Sequence, residues 1–363
     1  MINRSFLYIF LLLGLFSCGR NESSFSYKPI KSEKPLLVSE LGEKLEIIEV
    51  RTKYPISGTP KIFKSDKYFY LFEEGIVVSL HQVDFDGNLR KSIHFGFDDK
   101  LNGLAITQIL IKEDRVGVVE NGDKVTWFDE NLEEVEVATL PAKAKFHFLD
   151  GNQTIAYTHG IDDGDWDILV YDSVVKIGAF PINRERYQFY NNPYSPIARW
   201  NEQVIFSKAF NDTVYIWKDQ SFQPFLYVDF GSEKIDEERY LQIRGALDMQ
   251  EFFKEGPHNY FKGEIWGLDS SRILFQVSSK ARGQLAILDL ADQTLIVYPG
   301  FIDNSVSMMN LRSPQFSQDG ELFFGISGEE IEEHIGRAPD GFKMSLSADY
   351  AESYFIYRLK IKS

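Results

Sequence analysis

One cysteine, Cys18, occurs in 363 residues, so no disulfide can form within the chain and stability must come from a packed core. Basic residues are outnumbered, 39 Lys and Arg against 54 Asp and Glu, a net charge of −15 at pH 7. That balance argues against nucleic acid, which calls for a basic face, and against electrostatic attraction to an anionic membrane. Only six histidines are present, and they form no H-E-x-x-H pair. Glu330 and His334 stand four apart, which on a helix offers two metal-ligand positions or an ordinary turn contact. Phosphate-binding glycine patterns are missing, and "GISGE" (325–329) is not a nucleophile elbow. No apolar run reaches the roughly 20 residues a spanning helix needs.

What is abundant is aromatic: 15% of the chain, with 30 Phe and 18 Tyr, a composition suited to strands. Short β-branched or alternating runs follow one another, separated by Gly, Asn and Asp turns. A strand ending beside a turn acid recurs at Phe85-Asp86, Phe128-Asp129, Tyr171-Asp172, Lys218-Asp219 and Leu288-Asp289, at separations of 43, 43, 47 and 70 residues. A period near 43 with four strands per unit marks a β-propeller blade, because a four-stranded sheet hides its two faces only between neighbours. Six units can be counted, so the expected fold class is all-β, a six-bladed β-propeller of four-stranded antiparallel blades. "KLEIIEV" (44–50) falls outside the count and is expected to supply a strand of the blade that ends at Lys362. Two stretches break the period. Residues 233–256 read as a helical insertion, with Tyr240, Ile243, Leu247 and Phe252 on one face, and residues 329–352 form a second.

Residues 1–17 fit a secretory signal: Arg4 is followed by an apolar stretch over 6–16 and by small residues. "LFSC" (15–18) resembles the lipobox of bacterial lipoproteins, which implies a lipid on Cys18 as the mature N-terminus. Polar residues 18–35 are then expected to act as a lipid-anchored flexible tether, and residues 36–363 as the propeller domain. Each buried methylene of an acyl chain adds about 0.8 kcal/mol to anchoring. The competing reading is an ordinary cleaved signal.

The lipobox, the polar tether and pieces such as "FNDTVYIW…FLYVDFG" (210–231), "KYFYLFEEG" (67–75) and "DFDGNLRKSIHFG" (84–96) are together similar to the six-bladed β-propeller lipoproteins of Gram-negative bacteria. The resemblance covers nearly the whole mature chain. It implies a fold and a place, the cell envelope at the outer membrane, periplasmic or surface-facing, and no reaction.

Propellers bind ligands at the mouth of the central channel. The connections before the later blades are rich in aromatic, amide and guanidinium groups. Tyr190, Asn191, Tyr194, Arg199, His258, Tyr260, Asn310 and Arg312 are the candidate ligand-binding residues, in a pattern suited to a sugar, a peptide or a carboxylate. The alternative is turn formation and loop packing. Asp163, Asp165 and Asp167 in "GIDDGDWD" (160–167) have the spacing of oxygen ligands for Ca²⁺ and equally suit a solvated hairpin loop. Three functions follow. The first is a non-enzymatic ligand-binding or protein-interaction module held at the membrane by its lipid. The second is a Ca²⁺-dependent propeller hydrolase or lactonase, for which Glu264, Asn201 and Asn310 stand near blade starts. The third is a partner in an envelope protein complex, with 233–256 as its docking element.

Overall fold

The computed structural model describes residues 25–52, 56, 59–74, 77–96, 106–158, 165–172, 176–182, 195–240, 242–243, 245–256, 258–279 and 282–362. Four N-terminal strands come first: the short β1 (Phe25–Tyr27), β2 (Ile30–Lys31) and β3 (Leu36–Leu37) and, after the single-turn α1 (Val38–Leu41), the nine-residue β4 (Gly42–Val50). The chain then makes five antiparallel meanders. Sheet one holds β5–β8 (Lys61–Lys64, Phe69–Glu73, Val78–Val83, Leu89–Phe95). Sheet two holds β9–β12 (Ile106–Lys112, Arg115–Glu120, Lys124–Phe128, Glu134–Thr139). Sheet three holds β13–β16 (Phe146–Asp150, Gln153–Tyr157, Trp166–Tyr171, Lys176–Pro181). Sheet four holds β17–β20 (Ile197–Trp200, Gln203–Ser207, Thr213–Lys218, Ser221–Val228), and sheet five β21–β24 (Tyr260–Gly267, Arg272–Ser279, Arg282–Asp289, Thr294–Tyr298).

A three-stranded ribbon follows, in which β25 (Phe301–Ile302) lies between β26 (Asn310–Leu311) and β3. The last sheet is made of β27 (Phe316–Gln318), β28 (Glu321–Ser327), β29 (Tyr354–Ile361) and β4. β4 pairs antiparallel with β29 from Val50↔Tyr354 to Gly42↔Ile361, so residues 44–50 close the ring from the other end of the chain.

The expected six sheets are therefore corrected to seven. Residues 301–302 fall in none of the counted units and 310–311 in the connection before the last one, and two-residue strands carry no period from which a sheet can be read. The ribbon contributes Leu36, Phe301 and Leu311 to one core with Leu274 and Leu285 of sheet five and Leu322, Phe324 and Tyr357 of the last sheet. Part of the segment read as tether also belongs to the fold: β1 adds in parallel to β20, and β2 in parallel to β24.

The ring explains why the middle strands are apolar on both faces. Every residue of β6 is buried. Tyr70 and Phe72 point into the core shared with Val116 and Val118 of sheet two, while Phe69 and Leu71 point into the core shared with Phe323 and Ile356 of the last sheet. The period of two assigns alternate residues to two neighbouring sheets rather than to core and water. At the rim the pattern ends, and β12 is exposed along almost its whole length.

Turn acids cap the hairpins as Asx turns. Asp129 Oδ1 accepts the amides of Asn131 and Glu133, and Asp289 Oδ1 those of Ala291 and Asp292. In sheet one the capping acid is Asp84, two residues before the expected Asp86; its Oδ1 accepts the amides of Asp86 and Asn88.

The insertion over 233–256 is not one helix. It comprises a 3-10 turn (Gly231–Glu233), α2 (Glu237–Tyr240) and α3 (Ala246–Glu255). Tyr240, Ile243 and Phe252 pack on Ala209, Phe210 and Tyr260, as the spacing predicts, but Leu247 is 75% exposed because the helix restarts after Gly245 and changes phase. The second insertion holds α4 (Gly328–His334) and α5 (Asp340–Ser345). No helix among the described residues is long and apolar enough to cross a membrane.

Candidate functional site

The first strand of each meander lies innermost, and together with β27 and the ribbon these strands line one cavity of about 1770 Å³. Side chains stitch the wall together from sheet to sheet. Gln315 Oε1 accepts the Ile62 amide at 2.6 Å, and its Nε2 donates to the Pro60 carbonyl at 3.0 Å, joining the last sheet to the first. Gln108 of sheet two bonds both backbone groups of His147 in sheet three. Arg199 of sheet four pairs with Asp150 of sheet three. Trp200 Nε1 and Asn201 Nδ2 donate to the carbonyls of Asp269 and Ser270 in sheet five, each at 2.7 Å. Gln276 Nε2 donates to Ser313 Oγ at 2.8 Å, tying sheet five to the segment that enters the last sheet.

The wall is basic in an acidic protein. Eight Lys and Arg line it against five Asp and Glu, while the whole chain has a surplus of fifteen acids. Lys61 is paired with Glu74 at 2.6 Å. Lys64 lies 3.8 Å from Glu321 and 3.9 Å from Asp319. Burial pushes the Lys145 ammonium below its ordinary pKa. Burial likewise lowers His147, whose Nε2 donates to the Ala142 carbonyl at 3.0 Å and whose Nδ1 has no partner.

Of the eight expected ligand-binding residues, Arg199 and Arg312 line the cavity. Arg312 also pairs with Glu330. Tyr190, Asn191 and Tyr194 lie outside the described residues. His258 and Tyr260 are no part of the wall: His258 stacks on Phe252 at 3.9 Å and donates from Nε2 to its carbonyl, and Tyr260 stacks on Phe210 at 4.5 Å. Both belong to the core of the helical insertion, which offers aromatic surface closer than the channel does. Asn310 sits exposed in the ribbon, where it pairs with Ile302. Asn201 stitches sheets, Asn310 is off the wall, and only Glu264 and Asn201 of that trio line the cavity.

In the acid-rich loop, Asp163 lies outside the described residues and Asp165 is exposed. Asp167 is fully buried, with its Oδ2 2.5 Å from Lys208 Nζ. Burial raises its carboxyl pKa, and Lys208 offsets part of the rise. An ammonium thus occupies the carboxylate that a cation would need. Glu330 caps α4 through Ser327 and His334 Nδ1 bonds the Glu330 carbonyl, so that pair serves the helix. Among the described residues no group of three His, Cys, Asp or Glu is placed to hold a metal.

The residues missed from sequence are Gln108, Lys145, Lys262, Gln276 and Gln315. They are single polar side chains within or just before apolar strands, and their common position at the inner strands appears only once the sheets are aligned. A Ser92–His81–Glu73 chain was also missed. His81 Nδ1 lies 2.8 Å from Ser92 Oγ and its Nε2 3.1 Å from Glu73 Oε2, but none of the three lines the cavity.

Sheets standing side by side around one axis, each sharing a core with the next and closed by a strand from the opposite terminus, define the architecture. The chain is a β-propeller. Its fold is similar to that of a protein described as exported from Bacteroides fragilis NCTC 9343, with a TM-score of 0.67 and 12% identity over 94% of this chain and all of that one. Lower similarity links the propeller to BamB from Moraxella catarrhalis (TM-score 0.38, 13% identity, 76% of this chain and 75% of that one). AztD from Citrobacter koseri gives a TM-score of 0.40 at 10% identity, over 78% and 77%. No family model matches the sequence. No curated protein matches it either.

Proposed function

We propose that the propeller is an envelope lipoprotein, anchored through a lipid on Cys18, that binds a ligand or a protein segment in its central channel without transforming it. The observation that carries this reading is the channel itself: a single cavity of about 1770 Å³ whose wall mixes amide, ammonium and guanidinium groups. Pockets of this chemistry orient polar ligands through a few fixed donors. The signal-like residues 1–17 supply a route out of the cytoplasm, and the similar Bacteroides fragilis protein is described as exported. The anchor is a lipid because the chain carries too much negative charge to be held by an anionic surface.

A thermal-shift screen of the mature chain against oligosaccharides, peptides and Ca²⁺ tests the binding role, since a ligand selective for the folded state raises the melting temperature with concentration. A shift with a sugar or a peptide is expected. A shift confined to Ca²⁺ would transfer the case to the metal-dependent hydrolase. Feeding cells an alkyne-tagged fatty acid tests the anchor: the wild-type chain takes up the label, and Cys18→Ser does not. Labelling of Cys18→Ser would rule the anchor out.

A further inference from the structure

Lys262 and Gln276 meet over a glycine on the channel wall. A Cβ on Gly283 would lie 2.9 Å from Gln276 Nε2 and 3.6 Å from Lys262 Nζ, so both nitrogen donors border the space that the absent side chain leaves. Gln276 Nε2 also donates to Ser313 Oγ at 2.8 Å, which carries the cluster across the joint to Arg312. All five residues line the cavity. Among the described residues no ion pair engages Lys262, whereas Arg312 is held by Glu330. Glu264, two residues along the same strand, also faces the cavity and has contacts of its own.

We infer that this corner of the channel is an oxyanion site that takes a carboxylate of an acidic ligand. The inference rests on the channel being the binding site and adds the chemical class of what enters it. An ammonium and an amide N–H₂ placed side by side can donate to the two oxygens of one carboxylate. One cation outside any ion pair matches a monoanion. Of the eight basic side chains on the wall, Lys61, Lys64, Arg199, Arg312 and Lys360 are each held by an acid, so the charge of Lys262 is the one this corner presents to an incoming anion.

A carboxylate can come from an acidic glycan or an acidic peptide, and titration calorimetry on the full mature chain separates them. The probes are trigalacturonic acid, triglutamate, their neutral counterparts maltotriose and triglutamine, and inorganic phosphate. Binding of one or both acidic probes is expected, with the neutral ones inactive; trigalacturonic acid alone indicates a glycan and triglutamate alone a peptide. Lys262→Met should weaken that binding about tenfold, the loss of one charged hydrogen bond, and Lys262→Arg should retain most of it. Gly283→Ala, which crowds the Gln276 amide, should weaken it as well; circular dichroism confirms that each variant is folded. Acidic probes that bind Lys262→Met as tightly as wild type overturn the site. So does phosphate binding as tightly as the acidic probes and competing with them, or no binding by either acidic probe. Neutral probes that bind and ignore Lys262→Met overturn the oxyanion site while leaving the channel as the binding site.

Discussion

Gln108 Oε1 accepts the amide N–H of His147 at 2.7 Å while Gln108 Nε2 donates to the carbonyl of the same residue at 2.8 Å. The side-chain amide thereby does for two neighbouring sheets what a ladder rung does within one. His147 is 2% exposed, so water cannot replace the lost partner. Gln108→Ala should destabilise the ring by about 1–3 kcal/mol, the cost of leaving a buried backbone group unpaired. Urea unfolding followed by fluorescence checks this, and a midpoint equal to wild type would show that the rung carries no load.

Gly87 closes the ring from the turn of sheet one. Its φ is +86°, and a Cβ there would lie 2.1 Å from the Glu49 carbonyl oxygen of β4, where only backbone could move. The Arg51 amide donates to the Gly87 carbonyl at 2.9 Å. Gly87→Ala should cost more than about 2 kcal/mol, from left-handed strain and clash together. Gly151, at φ +58° with open space around it, is the control: Gly151→Ala should cost about 1 kcal/mol. Equal melting temperatures for the two variants would refute the clash.

His147 links stability to pH. Burial lowers its pKa, so the folded state holds the ring neutral while the unfolded chain protonates near pH 6.5. The unfolded state then binds more protons below that value, and stability falls as pH drops from neutrality toward the folded pKa. His81 acts in the same direction, because burial outweighs its contact with Glu73. His147→Gln keeps an N–H within reach of the Ala142 carbonyl and removes the titration. Its melting temperature should fall less than that of wild type between about pH 7.5 and about pH 5.5. An unchanged or steeper fall contradicts the assignment.

Asp167 and Lys208 have the opposite sign. The buried carboxyl is held above its unfolded pKa, so the folded state binds the extra proton and the cost of this group shrinks as pH falls through the folded pKa. Lys208→Met should destabilise by about 3–5 kcal/mol at neutral pH, the usual effect of breaking a buried pair. The penalty should lessen on acidification as Asp167 takes up its proton. Asp167→Asn combined with Lys208→Met should recover part of the loss. A penalty for Lys208→Met that grows on acidification would contradict the arrangement.

The strands of the ring were legible because the middle of every sheet is buried on both faces and punctuated by turn acids. Phe69–Glu73 and Val116–Val119 are apolar runs of this kind, and Asp129 and Asp289 mark hairpins of sheets two and five. Closure by residues 44–50 was legible from a β-branched run that no unit claimed. Phe301–Ile302 and Asn310–Leu311 were illegible because their pairing depends on Leu36–Leu37, more than 260 residues away in the chain. The site was mostly hidden. Arg199 and Arg312 were marked by the connections they end, but Lys262, Gln276 and Gly283 become a cluster only through the register of β21, β22 and β23. Tyr260 and His258 misled because an aromatic residue before a strand looks the same whether it faces a channel or a helix.

The N-terminal strands bear on how far the ring can stand from a membrane. Phe25–Tyr27 is already hydrogen-bonded to the rim of sheet four, Ile30–Lys31 to that of sheet five, and Leu36–Leu37 to the ribbon. With a lipid on Cys18, the free leash would run from residue 18 to residue 25 instead of to residue 35. At roughly 3.5 Å per residue, its reach drops from about 60 Å to about 25 Å. The propeller would then ride against the headgroups with the rim of sheet four leading, as a wheel tethered at its tyre rather than a buoy on a long line.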